Sequence, residues 1–182
     1  MPKATYVALI RGINVGGKNP VPMAALREAL TSAGFADSRT YIQSGNVVLA
    51  ASKKSEAAVA ARVEAVLEAE FGVTTVVVAV AAARMRESVT DAPQGFGAEP
   101  DTYHYDVAFL RPGTSAADAL AAFALREGVD AAWAGDGAVY FRRLSAQRTK
   151  SRMSSIMSSP IYKQMTIRNW RTTVTLVEML DG

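Results

Sequence analysis

The stretch from Tyr6 to Pro22, Tyr-Val-Ala-Leu-Ile-Arg-Gly-Ile-Asn-Val-Gly-Gly-Lys-Asn-Pro-Val-Pro, constrains this chain more than any other. An apolar run reads as a strand, a loop carrying three glycines and two cations follows, and a proline opens a helix. Pro20 and Pro22 fix their own φ angles, so the link between strand and helix has little freedom. At least one of Gly12, Gly16 and Gly17 is therefore expected at positive φ, where Gly→Val would be strained.

The rest of the chain repeats a simple alternation. Thr5–Ile10 reads as a strand. Met23, Leu26 and Leu30 then recur at helical spacing up to a stop at Gly34. Ser38–Gln43 and Asn46–Ala50 read as strands joined by a tight turn at Ser44-Gly45. Val59, Val63, Val66, Leu67 and Phe71 form one helical face, and the β-branched run Thr74–Val80 reads as a buried strand. That order, β-α-β-β-α-β, is the ferredoxin-like arrangement.

After a helix at Ala81–Val89 and a Gly/Pro-rich segment, Asp91–Pro100, the order begins again. Tyr103–Leu110 reads as a strand and Ser115–Leu125 as a helix with a capping-box-like start. Ala131–Ala134 and Ala138–Leu144 form a second hairpin, closed by Gly135-Asp136-Gly137. Ser151–Met157 reads as a polar helix, Met165–Arg168 as a short strand and Thr173–Leu180 as a terminal helix. The expected fold is thus α+β, two ferredoxin-like (βαββαβ-type) units with mainly antiparallel sheets. The expected division is residues 1–80, a helix and linker over 81–102, and a second unit over 103–182.

Composition excludes several chemistries. The chain has no cysteine and one histidine, which removes thiolate catalysis and leaves little for zinc; no metal site and no cofactor is expected. Arg11 ends the N-terminal apolar run too early for a signal peptide, and no run approaches the roughly 20 apolar residues of a membrane span. The expectation is a cytoplasmic protein without membrane contact. Charge is uneven: residues 137–182 carry 8 Lys/Arg against 2 Asp/Glu, and no acid falls between Gly137 and Val177. Such a basic segment suits an anionic partner, or else is a solvated face balanced elsewhere in the fold.

Three polar clusters are candidate ligand sites. The first is Arg11, Asn14, Gly16, Gly17 and Lys18, where glycine N–H groups beside a helix start could hold an anion. The alternative there is a tight turn with Asn14 bonded to backbone. The second is Gln43, Ser44 and Asn46 at the hairpin tip, which turn chemistry also explains. The third is Arg168 and Asn169 beside Trp170, a recognition surface or an anchor for the last helix. Tyr103, Tyr105, Val107 and Phe109 share one strand face, but the RNP1 pattern of RNA-binding modules is absent, so these aromatics read as core. His104, on the opposite face, reads as exposed and without an evident partner.

Ala8-Leu-Ile-Arg-Gly-Ile-Asn-Val-Gly-Gly-Lys18, Val21-Pro-Met23, Thr40-Tyr-Ile-Gln-Ser-Gly-Asn-Val-Val48 and the late Arg168-Asn-Trp170 together resemble the domain of unknown function 1697 family, small and mostly bacterial proteins. The resemblance implies a two-part α+β fold and no defined activity. Arg171 and Thr175 stand where the family pattern has Asn and Lys, and Lys150-Ser-Arg-Met153 where it has Ser-Lys-Leu. Taken together, these features lead to an expected binding protein for an anionic ligand, a nucleotide or nucleic-acid phosphate, using the glycine loop and basic segment. The alternatives are a small cofactor-independent enzyme acting on a phosphorylated metabolite, or a structural or protein-interaction module.

Overall fold

The computed structural model describes residues 3–52 and 54–182. In packing terms the chain divides into two compact units, Met1–Arg86 with Thr175–Gly182, and Glu87–Val174. The division falls within a helix rather than at residue 80, and the last eight residues join the first unit.

The first unit runs β1 (Lys3–Ile10), α1 (Met23–Ser32), β2 (Ala36–Tyr41), β3 (Asn46–Ser52), α2 (Glu56–Phe71) and β4 (Val77–Ala81), then enters α3 (Ala82–Thr90). Its sheet has the order β2-β3-β1-β4, with every neighbouring pair antiparallel. Tyr6, Ala8, Ile10, Val47 and Leu49 turn one sheet face toward Leu26 and Leu30 of α1 and Val59, Val63 and Leu67 of α2. Val7, Leu9, Val48, Val78 and Val80 are buried as well, which explains continuous apolar runs in place of strict alternation. Ser55 caps α2 by accepting a hydrogen bond from the Ala58 N–H, and Gly72 ends it in the left-handed region at φ 65°.

The second unit continues with β5 (Tyr103–Leu110), α4 (Ala116–Ala122), β6 (Asp130–Gly135), β7 (Ala138–Leu144), β8 (Met165–Asn169) and the start of α5 (Trp170–Asp181). The sheet order β6-β7-β5-β8 repeats the first unit's layout, again antiparallel throughout. Both units are therefore ferredoxin-like and the fold is α+β. One element differs from expectation. Where a second crossover helix belongs, the chain makes three 3₁₀ turns, Ser145–Lys150, Met153–Ser158 and Pro160–Gln164. Seven serines and threonines between Ser145 and Ser159 compete for backbone hydrogen bonds there, which favours turns over a continuous helix. Met153 and Ile156 still reach the core beside Ala119, Phe123, Val139 and Phe141.

The hairpin tips also correct the sequence reading. Tyr41 pairs with Asn46, so the first hairpin closes with four residues, Ile42–Gly45, rather than at a tight Ser44-Gly45 turn. In the second, Gly135 pairs with Ala138, leaving the two-residue turn Asp136-Gly137.

On the other face of the second sheet, Phe96 from the Gly/Pro-rich segment meets four rings. Its centroid lies 4.9 Å from Tyr105, 5.4 Å from Tyr140, 5.0 Å from Trp170 and 6.1 Å from Trp133, all edge-to-face. A Cβ on Gly97 would fall 2.2 Å from the Trp170 indole nitrogen. Phe96 and Gly97 thus pack on the aromatic face, while Asp91, Gln94, Gly95, Ala98, Glu99 and Pro100 are exposed. Among the described residues no helix is long and apolar enough to cross a membrane.

Candidate functional site

At the end of β1 the chain leaves the sheet with the Arg11 N–H donating to the Val76 carbonyl at 3.0 Å. Gly12, Gly16 and Gly17 all take positive φ, 66°, 59° and 72°, as the constrained link required. Val15 and Lys18 form an isolated antiparallel bridge, closed by the Lys18 N–H donating to the Val15 carbonyl at 3.1 Å. With both central glycines left-handed, Val15–Lys18 is a type I′ hairpin turn. Gly16 and Gly17, left-handed residues of the kind an anion nest requires, stand at the centre of this turn.

Asn14 is the organiser of this region. It sits at φ 54°, a conformation that Asn tolerates. Its amide donates to the Val21 carbonyl at 2.8 Å and the Gln43 carbonyl at 2.9 Å, while Oδ1 accepts from the Val21 N–H at 2.7 Å. One side chain thus holds the glycine loop, the start of α1 and the first hairpin tip together. Asn46 is fully buried and donates to the Tyr41 carbonyl at 3.1 Å and to Ser44 Oγ at 3.2 Å, so it closes the tip from within.

Between these loops lies a cleft of about 400 Å³, lined by Asn14, Thr40 and Gln43 and by the apolar Pro20, Pro22, Met23 and Ile42. Arg11 and Lys18 are not among its lining residues. Of the candidate residues, Asn14 and Gln43 are brought together here, by a side-chain-to-backbone bond, beside a largely apolar lining. Ile42 stands out in it: a β-branched residue at φ 49° with half of its surface exposed.

Arg168 and Asn169 serve the fold of the second unit. Arg168 is buried, donates to Thr166 Oγ1 at 2.9 Å and to the Ile167 carbonyl at 2.9 Å, and burial pulls its pKa down to about 10 against a small opposing contribution from Tyr162. Asn169 Oδ1 accepts from the Thr172 N–H at 2.7 Å and so caps α5. With Trp170 stacked edge-on to Phe96, the Arg-Asn-Trp signature is a sheet-to-helix junction.

A second cleft, of about 260 Å³, is lined by His104, Arg143, Ser145 and Arg148. His104 on β5 and Arg143 on β7 are cross-strand partners, and Arg148 follows in the first 3₁₀ turn. Asp106, two residues along β5 and hence on the same sheet face as His104, lies 3.1 Å from His104 Nε2 and 3.9 Å from the Arg143 guanidinium. It therefore orients His104 and Arg143, while Arg148 is exposed. Asp130, the partner of Arg143 on β6, is engaged by the Arg126 and Arg152 N–H groups at 3.0 Å each. Sequence reading left this cluster out because His104 has no neighbour of evident purpose along the chain. The His-x-Asp spacing on a strand was the signal available. Among the described residues no group of acidic, His or Cys side chains is arranged to hold a metal ion.

Comparison with known proteins agrees with this architecture. A solved structure described as the conserved bacterial protein SP0830 from Streptococcus pneumoniae matches with a TM-score of 0.80 at 25% sequence identity, over 98% of this chain and 99% of that one. No curated protein matches the chain. The family model for DUF1697, described as a protein of unknown function, matches residues 3–140. The chain, whose glycine loop, first hairpin tip and first sheet, β1–β4, all fall inside that match, belongs to the DUF1697 family of proteins of unknown function.

Proposed function

We propose that this protein is a binding protein for a phosphate-bearing ligand, and that the basic segment, not the glycine loop, supplies the anion site. The observation that carries the reading is the cleft lined by His104, Arg143, Ser145 and Arg148. Guanidinium groups match phosphate geometry with paired donors, and a hydroxyl adds a neutral donor. Asp106 holds His104 and Arg143 in place rather than cancelling the site, since Arg148 has no such partner at ion-pair distance among the described residues. Asn14 and Pro20 of the glycine loop line a separate, largely apolar cleft.

Calorimetric titration with pyrophosphate at low salt tests the proposal. Saturable binding that weakens about tenfold or more in Arg148→Ala, with the fold intact by circular dichroism, is the expected result. Absence of saturable heat, or equal affinity in Arg148→Ala, Arg143→Ala and the parent protein, would remove the proposal.

A further inference from the structure

The sheet face opposite the basic cleft carries a second feature at the same end of the same two strands. Tyr103 and Arg142 are one residue away from His104 and Arg143, and so point to the other side of the pleat. The Arg142 guanidinium lies over the Tyr103 ring at 4.2 Å and over the Trp133 ring at 5.6 Å. Tyr103, Trp133 and Arg142 are all partly exposed, whereas Tyr105, Tyr140 and Phe109 on the same face are buried. The exposed end of the aromatic face therefore carries a cation–π group of the kind against which nucleobases stack. Strand β8 pairs with β5 only from Asp106 to Leu110, so the edge at Tyr103–Tyr105 lies outside that ladder.

From this juxtaposition we infer that the ligand is a single-stranded nucleic acid, one phosphate in the His104–Arg143–Arg148 cleft and a neighbouring base on Tyr103 and Arg142 around the open end of β5. The inference rests on the phosphate-binding reading above and adds the base. Unpaired bases are required, because a paired base has no face to offer a side-chain platform. Further cations on the acid-free segment, Lys150, Arg152 and Lys163, are exposed and extend the charge complementarity beyond the cleft.

The test is fluorescence anisotropy of a labelled oligothymidylate of about 12 nucleotides, within the span that one module covers. It is accompanied by competition with inorganic polyphosphate, which has the charge without bases, and with duplex DNA. Tyr103→Ala is expected to weaken binding about five- to tenfold or more, with Tyr103→Phe close to the parent. Arg148→Ala should weaken it and lower the salt slope by about 0.7. Binding should also quench tryptophan emission in the parent and much less in Trp133→Phe, a readout that does not depend on the Tyr103 variant folding. Polyphosphate or duplex competing as well as unlabelled oligothymidylate would overturn the base platform and leave the phosphate site standing. So would binding without quenching, or unchanged affinity in Tyr103→Ala. If neither oligonucleotide nor polyphosphate binds, both readings fall.

Discussion

Replacing Gly45 by alanine tests whether the hairpin tip is clamped against the strand-to-helix loop. Gly45 is buried at φ 86°, and a Cβ there would lie 2.9 Å from both Cβ and the carbonyl oxygen of Ile10, and 3.1 Å from Ile13 Cδ1. The left-handed backbone alone costs an L-residue about 1–2 kcal/mol. Crowding against a strand backbone adds about 1–3 kcal/mol, because the obstructing atoms cannot rotate away. The Ile10 N–H to Gly45 carbonyl bond, at 2.8 Å, is strained by the same displacement. Reduced freedom of the unfolded chain offsets only about 0.4–1 kcal/mol. Gly45→Ala should therefore destabilise by about 2–4 kcal/mol, a large share of the roughly 5–15 kcal/mol typical of a folded domain. Gly16→Ala is the internal control, with similar φ and no atom within 4 Å of the added Cβ. It should cost only about 0–1.5 kcal/mol. Urea unfolding followed by circular dichroism measures both. Equal midpoints for the two variants would refute the clamp and leave the hairpin tip an ordinary surface loop.

Other consequences are equally direct. Gly97→Ala should destabilise the second unit and shift tryptophan emission, since its Cβ would overlap the Trp170 indole; a Trp170→Ala background should remove most of the penalty, which a double-mutant cycle measures. Asn169→Ala should cost about 1 kcal/mol by uncapping α5, and Asn169→Asp should restore it, as read by thermal melts. Ile42→Asn should be neutral to slightly stabilising, by up to about 1 kcal/mol, because it relieves a β-branched residue at φ 49° with little burial to lose; a clear loss of stability would contradict the strain. Tyr140 is held protonated in the fold to about pH 12 by burial and then by Asp91 and Asp136, above its ordinary value of 10.0, and its hydroxyl donates to the Ser88 carbonyl at 2.8 Å. Its folded pKa is raised, so its contribution is fully present below pH 10 and is lost as pH climbs through 12. Urea titrations at the two ends of that window should show a smaller alkaline loss in Tyr140→Phe than in the parent.

What the sequence determined by itself was the order of the strands and main helices and the behaviour of the glycine link; where the fold makes 3₁₀ turns between residues 145 and 164, it read a helix. Val and Ile runs, Leu26 and Leu30 at helical spacing, and Gly72 after an apolar helical face are local signals, because backbone preference and side-chain periodicity act over a few residues. Pro20 and Pro22 restrict φ wherever they stand, so positive φ at Gly12, Gly16 and Gly17 followed without tertiary information. Tertiary structure decided what those residues are for. Asn14 bonds locally to Val21, but it ties the loop to the hairpin tip only because the fold brings Gln43, 29 residues away, within reach. Arg168 and Asn169 read along the chain as a recognition surface or an anchor for the last helix, and the fold buries the first and engages the second at a helix start. His104 acquired Arg143 only through antiparallel pairing of β5 with β7. Sites are made by residues that meet across strands and loops, and that meeting depends on register and loop closure, which no local pattern encodes.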